Sequence, residues 1–154
     1  GSAGPLRGYK LSMYEGGYRV PGILRWPGHT RAGTESAEPV CFADLLPTLC
    51  AVAGVAPPAD RVLDGVNVLP ILDGKPVERA MPLYWEFEHA QEGPWKSSLR
   101  RGPWKILADA KREQFALYNL VDDLGEEHDL AAERPDLVKE LRAELDRFRF
   151  PPPK

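Results

Sequence analysis

The residues best suited to chemistry lie near the start of the chain, between Gly4 and Pro21. This segment contains four glycines and the cations Arg7, Lys10 and Arg19, together with the carboxylate of Glu15. Glycine lets a backbone bend tightly and approach a ligand closely, and lysine and arginine donate charge-assisted hydrogen bonds to tetrahedral oxyanions. The composition favours a site for sulfate or phosphate, although a solvated basic loop leading into a strand uses the same residue types.

Length and composition narrow the class of protein. The chain has 154 residues, of which 43% are apolar, and a formal net charge of −3. This is enough material for the core of one domain, and the charge does not favour nucleic acid, whose binding proteins usually carry a basic surplus. No run of 18 apolar residues predicts a membrane span. Cys41 and Cys50 are interpreted as buried thiols, not as a disulfide framework.

The first half of the chain predicts a few separate elements. Residues 19–26 are rich in Val, Ile, Leu and Trp and predict a strand that ends at a Pro-Gly turn. Residues 40–52 carry apolar side chains at helical spacing and predict an amphipathic helix ended by Gly54. Pro47 marks either the first turn of that helix or a bend in it. Residues 68–72 predict a short apolar turn of helix or strand.

The second half predicts a small antiparallel meander and a closing helix. Four short β-prone runs are separated by Gly-Pro or charged clusters, as is typical of consecutive hairpins. A helix follows with an apolar stripe that should pack on the sheet, and Pro135 suits its first position. The prolines at the end of the chain predict an extended tail. The β-prone runs, the helix and the tail are residues 82–89, 96–101, 104–108, 115–120, 135–148 and 151–153.

Several short motifs, taken in order, resemble the type I sulfatases, which belong to the alkaline-phosphatase-like superfamily. Each motif alone is weak, but together they follow the family's order along nearly the whole chain. The resemblance is to roughly the last third of an arylsulfatase-like enzyme. The motifs are L-R-G-Y-K (6–10), Y-E-G-G-Y-R-V-P (14–21), I-L-R-W-P-G (23–28), A-D-L-L-P-T-L (43–49), D-G-V-N-V-L-P-I-L-D-G (64–74), L-R-R-G-P-W-K (99–105) and L-Y-N-L-V-D-D-L-G-E (117–126).

The resemblance implies a fold class and a division of the chain. It implies an α/β (α+β) fold in which residues 1–75 supply the terminal strand and helix of the large mixed sheet of the catalytic domain. Residues 76–154 then form a small antiparallel four-stranded sheet with a C-terminal helix. A lone strand at residues 19–26 would leave backbone donors and acceptors unpaired, so we predict that it pairs with a second copy of the chain or is covered by loops.

The resemblance also assigns roles to residues near the start of the chain. Lys10 matches the family's lysine that contacts the sulfate, and it is the catalytic candidate. Arg7 and His89 are further substrate-binding candidates, and Arg7 has the alternative of pairing with a carboxylate such as Glu15. The remaining residues are predicted to fix the loop by ion pairing or by unusual backbone angles: Glu15, Gly16, Gly17 and Arg19.

The nucleophile and the metal of the resembled family have no counterpart in this sequence. Type I sulfatases use a formylglycine made from a cysteine or serine in a Cys-x-Pro-Ser-Arg motif. Cys41 is followed by Phe-Ala-Asp and Cys50 by Ala-Val-Ala, so neither fits. No carboxylate cluster has the ligand density that calcium needs. We therefore predict no metal and no cofactor within the chain, and expect calcium and formylglycine in a full-length parent.

Three functions remain open from the sequence. The chain is the C-terminal part of a sulfatase, inactive alone; or part of a related phosphodiester or phosphonate hydrolase; or a free-standing anion-binding or interaction module. A sulfate ester is the predicted substrate of the parent, with no nucleic-acid partner. The sequence does not determine the compartment, and the resembled family is commonly periplasmic, secreted or lysosomal.

Overall fold

A four-stranded antiparallel sheet organises the second half of the chain. In the computed structural model, which describes residues 2–148, its strands lie side by side in chain order. The two residues Gly102 and Pro103 connect the second and third strands, as their turn propensity predicts. The predicted fold class and meander are confirmed. The strands are β1 (Leu83–Glu86), β2 (Trp95–Arg101), β3 (Trp104–Asp109) and β4 (Phe115–Asn119).

One face of the sheet packs against a C-terminal helix, α3 (Pro135–Leu145). Pro135 occupies its first turn, where a missing N–H costs nothing. Leu141 and Leu145 are fully buried against Leu99 and Ile106 of the sheet. The predicted apolar stripe is confirmed, and a 3₁₀ turn, Asp146–Phe148, continues the helix. The predicted proline tail at 151–153 lies outside the described residues.

The opposite face of the sheet is covered by the N-terminal segment of the chain. Met13 and Tyr14 are buried there against Leu107, Ala116 and other apolar residues of the strands. Side chains alternate between the two faces of a strand, so Lys105 and Leu107 point to the N-terminal segment while Ile106 points to α3. The segment that carries the candidate site is therefore held directly on the sheet.

The chain divides into two units by its contacts. Residues through Pro21 and those from Pro82 onward form the first, here called the sheet unit, and Gly22–Met81 form the second, the helical unit. The predicted boundary near residue 75 concerns the domains of a whole enzyme and stays a prediction. None of the helices within residues 2–148 has the length and apolarity required to cross a bilayer.

The helical unit contains the predicted helix in a shorter form. α2 spans Leu45–Ala53 and ends at Gly54, which takes the left-handed conformation with φ 67°. A 3₁₀ turn, Phe42–Asp44, precedes it, so Pro47 lies in the first turn of α2, where proline is tolerated. A second 3₁₀ turn, Leu69–Asp73, occupies the apolar run predicted near residues 68–72.

The strand predicted at residues 19–26 is not formed. Arg19 has extended backbone angles, but these residues join no ladder within the described chain, and the side chain of Ile23 is 97% exposed. Strand propensity reports a fit to a pleated, half-buried surface, and a strand also needs a partner for its backbone groups. Pairing of residues 19–26 with a second copy of the chain stays a prediction. In the described residues it is favoured only by the exposure of apolar side chains such as Ile23.

Asp44 is the polar centre of the helical unit. Its buried carboxylate accepts hydrogen bonds from the backbone N–H groups of Cys41 at 2.8 Å and Val66 at 2.9 Å. The Arg79 guanidinium donates one hydrogen bond to each carboxylate oxygen, at 2.8 and 2.7 Å. Burial alone would raise the pKa of Asp44, but the Arg79 pair and the two N–H donors lower it below its usual value of 3.8.

This arrangement predicts acid sensitivity of the helical unit. A carboxyl group with a lowered folded-state pKa contributes stability above its unfolded pKa and loses it as the pH falls through the folded value. We therefore expect the protection factor of the Val66 amide, which is its exchange rate relative to the intrinsic rate at the same pH, to fall on acidification below about pH 3.8. An Asp44→Asn variant should lack this pH response. An equal response in wild type and variant would assign the effect to another carboxylate.

Candidate functional site

Lys10 lies on an exposed turn at the edge of a shallow depression in the sheet unit. The turn is closed by a hydrogen bond from the Ser12 N–H to the Tyr9 carbonyl at 2.9 Å. The depression has a volume of about 290 Å³, and Tyr18, Trp85 and Phe87 contribute to its lining. Lys10 is exposed, and no carboxylate in residues 2–148 lies within ion-pairing distance of its ammonium.

An aromatic pair forms part of the wall beside Lys10. The rings of Tyr18 and Trp85 are stacked, with centroids 4.4 Å apart and planes 18° from parallel. The Tyr18 hydroxyl donates to Glu15 Oε1 at 3.2 Å, and burial raises the pKa of Tyr18 to about 12. The wall is thus apolar toward the depression and anchored by a polar contact beneath it.

Beneath the loop that carries Lys10 lies a buried ion cluster. Lys105 on β3 is fully buried, and its Nζ lies 3.0 Å from Glu15 Oε1 and 2.8 Å from Glu126 Oε1. The second Glu126 oxygen accepts the Glu15 backbone N–H at 2.7 Å. One ammonium thus joins the sheet, the N-terminal loop and the turn after β4.

The two carboxylates of the cluster have opposite pKa shifts. Burial raises the pKa of Glu126, and the Lys105 ammonium offsets only part of that rise. For Glu15, burial also acts upward, but Lys105 and the nearby Arg100 lower the pKa below its ordinary range. Arg100 and Arg19 each lie 3.6 Å from Glu15 Oε2. Glu15 is therefore the charged anchor of the cluster.

Gly16 and Gly17 are required for space, not for unusual backbone angles. Both lie in the short helix α1, Glu15–Tyr18, and neither has a positive φ, so the prediction of angles closed to other residues is wrong. A Cβ on Gly16 would lie 2.5 Å from the Arg7 carbonyl oxygen, and one on Gly17 would lie 1.9 Å from that of Ser12. The helix packs backbone to backbone against the turn that presents Lys10.

Replacing Gly17 by alanine should displace this turn. Because the new Cβ would meet backbone atoms on the turn, the loop has to move as a whole, and we expect a loss of about 1–3 kcal/mol in the free energy of unfolding. Gly22→Ala is the matched control, since a Cβ there meets nothing within 4 Å. Urea unfolding of both variants decides the point: equal midpoints would show that the loop absorbs the methyl group.

The other predicted site residues, Arg7 and His89, make different contacts. Arg7 donates from Nη1 to the Glu126 carbonyl at 2.6 Å and lies 3.9 Å above the Tyr14 ring; it does not pair with Glu15, the alternative considered from sequence. His89 is exposed after β1, edge-on to Phe87. Substrate contacts for Arg7 and His89 stay predictions.

Sequence reasoning missed Lys105 and Glu126. The sequence patterns place Lys105 in a β-prone run and Glu126 at the end of a family motif, and neither residue is singled out. A usable signal existed for Lys105, because a charged residue stands in the run W-K-I-L-A where the buried face of a strand is expected. Lysine on such a face needs a carboxylate partner, but the sequence does not show that two would be supplied from segments about 20 and 90 residues away.

The described residues do not fit a calcium site. Within residues 2–148, no three His, Cys, Asp or Glu side chains come together where they could hold a metal ion. Calcium favours six to eight oxygen ligands, and the carboxylates beside the Lys10 loop are engaged with Lys105 and backbone N–H groups. The expected calcium and formylglycine of a whole enzyme therefore stay predictions about segments other than this one.

Solved structures with this fold include sulfatases. The protein Ps i-CgsB, solved in complex with k-i-k-neocarrahexaose, matches 93% of this chain and 30% of its own, with 30% identity and a TM-score of 0.75. A putative sulfatase from Bacteroides thetaiotaomicron matches 68% of this chain and 23% of its own, with 28% identity and a TM-score of 0.51. The fold of this chain is thus one that occurs within larger proteins, a putative sulfatase among them.

Curated relatives agree with that class. Human steryl-sulfatase is 47% identical over 75 residues, which is 49% of this chain and 13% of the relative. Human N-acetylgalactosamine-6-sulfatase is 42% identical over 85 residues, 54% of this chain and 16% of the relative. The chain therefore spans less than a fifth of the length of these two relatives in the matched regions.

A match to a family model shows which sulfatase family the chain belongs to. The model for the C-terminal region of N-sulphoglucosamine sulphohydrolase matches residues 9–150, nearly the whole chain. The chain belongs to this sulfatase C-terminal family. The resemblance inferred from the ordered motifs is confirmed.

Proposed function

We propose that this chain is the C-terminal part of an enzyme that hydrolyses sulfate esters, that Lys10 contacts the sulfate group, and that the chain alone does not turn over substrate. The observation that carries the proposal is the contrast between two lysines. Lys105 is buried and neutralised by two carboxylates, whereas Lys10 is exposed at the edge of a depression without a carboxylate partner in residues 2–148.

An ammonium held in this way stabilises negative charge on sulfate oxygens. Hydrolysis of a sulfate ester places charge on the departing alcohol oxygen and on the sulfate, and a preorganised cation nearby lowers the barrier. Lys10 is suited to this role because its side chain is exposed and stands on a turn packed against α1. The attacking group belongs to another part of the protein, since neither cysteine stands in the required motif.

The exposed apolar face of α2 supports membership of a larger protein. Thr48 accepts the Val68 N–H at 3.1 Å, so one side of α2 faces its own unit. The large apolar side chains of α2 point elsewhere: Leu49 is 60% exposed and Leu46 is 48% exposed. An apolar helix face needs a partner to exclude water. Ps i-CgsB, of which this chain matches 30%, contains enough additional chain to supply one.

A comparison of the isolated chain with its whole polypeptide tests the proposal. Reading the upstream coding sequence should show a Cys-x-Pro-Ser-Arg motif, and the whole polypeptide with calcium should hydrolyse a chromogenic sulfate ester. The 154-residue chain should give no turnover under the same conditions. Turnover by the isolated chain, or a start codon near its first residue with no upstream segment, would contradict the proposal.

The choice of substrate distinguishes a sulfatase from the alternative, a phosphodiester or phosphonate hydrolase. The matched relatives are named as sulfatases, which favours sulfate over phosphate. The matching phosphate monoester and diester, assayed beside the sulfate ester, give the answer. A higher kcat/KM for either phosphate substrate would assign the whole protein to the phosphodiester or phosphonate hydrolases instead.

A further inference from the structure

Leu11, the residue after Lys10, has a backbone conformation that leucine rarely adopts. Its φ is 77°, in the left-handed region where an L-residue brings its Cβ against a carbonyl oxygen. A positive φ on a bulky apolar residue is a genuine outlier. Such strained residues cluster at functional sites, where the surrounding structure holds them in place.

The strain belongs to the turn that presents Lys10. In the turn Tyr9–Ser12, closed by the Ser12 N–H on the Tyr9 carbonyl, Lys10 is the second residue and Leu11 the third. A type II turn requires φ near about +80° at its third residue, usually supplied by glycine or asparagine. With φ near about −90° the turn becomes type I, and the peptide between Lys10 and Leu11 is turned over.

The contacts of Leu11 show what holds the strained form. The Leu11 carbonyl accepts the Gln91 N–H at 3.0 Å, and the Ser12 hydroxyl accepts the Tyr14 N–H at 3.1 Å. The Leu11 carbonyl and the residues that follow it are thus held in place within the sheet unit.

The other two left-handed non-glycine residues in the described part of the chain differ from Leu11. Arg112 and Glu126 are buried, and their charged side chains make ion pairs. The apolar side chain of Leu11 is half-buried at the depression and can form no such pair.

We propose that Leu11 is a positioning residue whose left-handed backbone, and not its side chain, sets the turn that presents Lys10 to an anion. This inference rests on the proposed function for the anion, while the turn geometry is independent of it. The proposal distinguishes a requirement for the backbone angle of residue 11 from a requirement for its apolar side chain. A residue that tolerates positive φ should preserve the site, and a similar apolar residue that resists positive φ should disrupt it.

Three variants of the 154-residue chain test the proposal. Leu11→Asn replaces the apolar side chain by a polar one and Leu11→Gly removes it, and both residues accept the backbone angle. Leu11→Val keeps an apolar side chain but is β-branched and resists that angle. The first readout is hydrogen exchange at the Ser12 amide, which the turn protects. We expect it to be about tenfold faster in the valine variant and not accelerated in the asparagine variant.

The second readout is the chemical shift of the Lys10 side-chain ε-CH₂ during titration with sodium sulfate. The asparagine and glycine variants should retain the wild-type response, and the valine variant should lose it. A merely structural role of the leucine side chain predicts the reverse order and would overturn the proposal. If the valine variant does not fold, the asparagine variant decides: a higher urea midpoint with an unchanged sulfate response supports the proposal, and a lower midpoint refutes it.

The two readouts test the sulfate contact of Lys10 and the role of the Leu11 backbone separately. If wild-type Lys10 shows no response to sulfate, the assignment of a sulfate contact in this chain fails. Exchange at the Ser12 amide still decides whether the backbone of Leu11 sets the turn, because that measurement needs no ligand.

Discussion

Replacing Lys10 by alanine in the whole polypeptide is expected to lower kcat/KM for a sulfate ester by about 10²–10³-fold. The ammonium stabilises charge that develops on the oxygens in the transition state, so most of the loss should appear in kcat. Stability should change little, because Lys10 is exposed and has no carboxylate partner in residues 2–148. Steady-state kinetics and urea unfolding of the same preparation measure the two effects separately.

Lys139→Ala is the matched control for Lys10→Ala. Lys139 is also exposed, but it lies on α3 on the other face of the sheet, so its removal should leave kcat/KM unchanged. A comparable loss in both variants would show that overall charge, and not position, matters. Full activity of Lys10→Ala would remove Lys10 from the proposed site.

Replacing Lys105 by methionine is expected to cost about 3–5 kcal/mol in the free energy of unfolding. Methionine has a similar length but no charge, so two carboxylates remain buried without their shared cation. Burial already raises the pKa of Glu126 with Lys105 in place. The loop from residue 7 to residue 19 should be held less firmly on the sheet, because Glu15 and Glu126 would no longer share a cation, while the buried side chains of Met13 and Tyr14 still attach it.

The pH dependence of Lys105→Met distinguishes lost charge from lost packing. Without the ammonium, the folded-state pKa of Glu126, which burial already raises, lies still further above its unfolded value, and that of Glu15 rises because only Arg100 and Arg19 remain beside it. The variant should therefore be least impaired below the unfolded pKa and lose stability as the pH rises through the folded values. Adding Glu126→Gln should recover part of the loss at neutral pH, and Lys139→Met should be neutral. A loss that is independent of pH would point to packing alone.

Local patterns predicted the elements of the sheet unit well. The four strands and α3 were predicted within a few residues, because alternation on strands and helical spacing on α3 report which side faces a core. The ordered motifs indicate the family on their own. The strand at residues 19–26 was predicted wrongly, because a ladder depends on a partner that local composition does not reveal.

The candidate site was only partly predictable. Lys10 and Glu15 could be singled out because their motifs carry family information. The role of Gly17 could not be predicted from the sequence. Any side chain at this position would lie 1.9 Å from the Ser12 carbonyl oxygen, and that clash arises only because α1 packs on the turn. The strained angle of Leu11 was equally hidden, since leucine is not a residue that signals a type II turn.

The sequence by itself determined the family, the order of the elements in the sheet unit and Lys10 as the candidate cation, because these depend on residue types and short spacings. Only the tertiary structure decided which lysine is neutralised and which remains available. Lys105 and Lys10 are the same residue type, and their difference lies in Glu15 and Glu126, brought to Lys105 from distant segments. Ionic pairing depends on distance in space, and folding alone sets that distance.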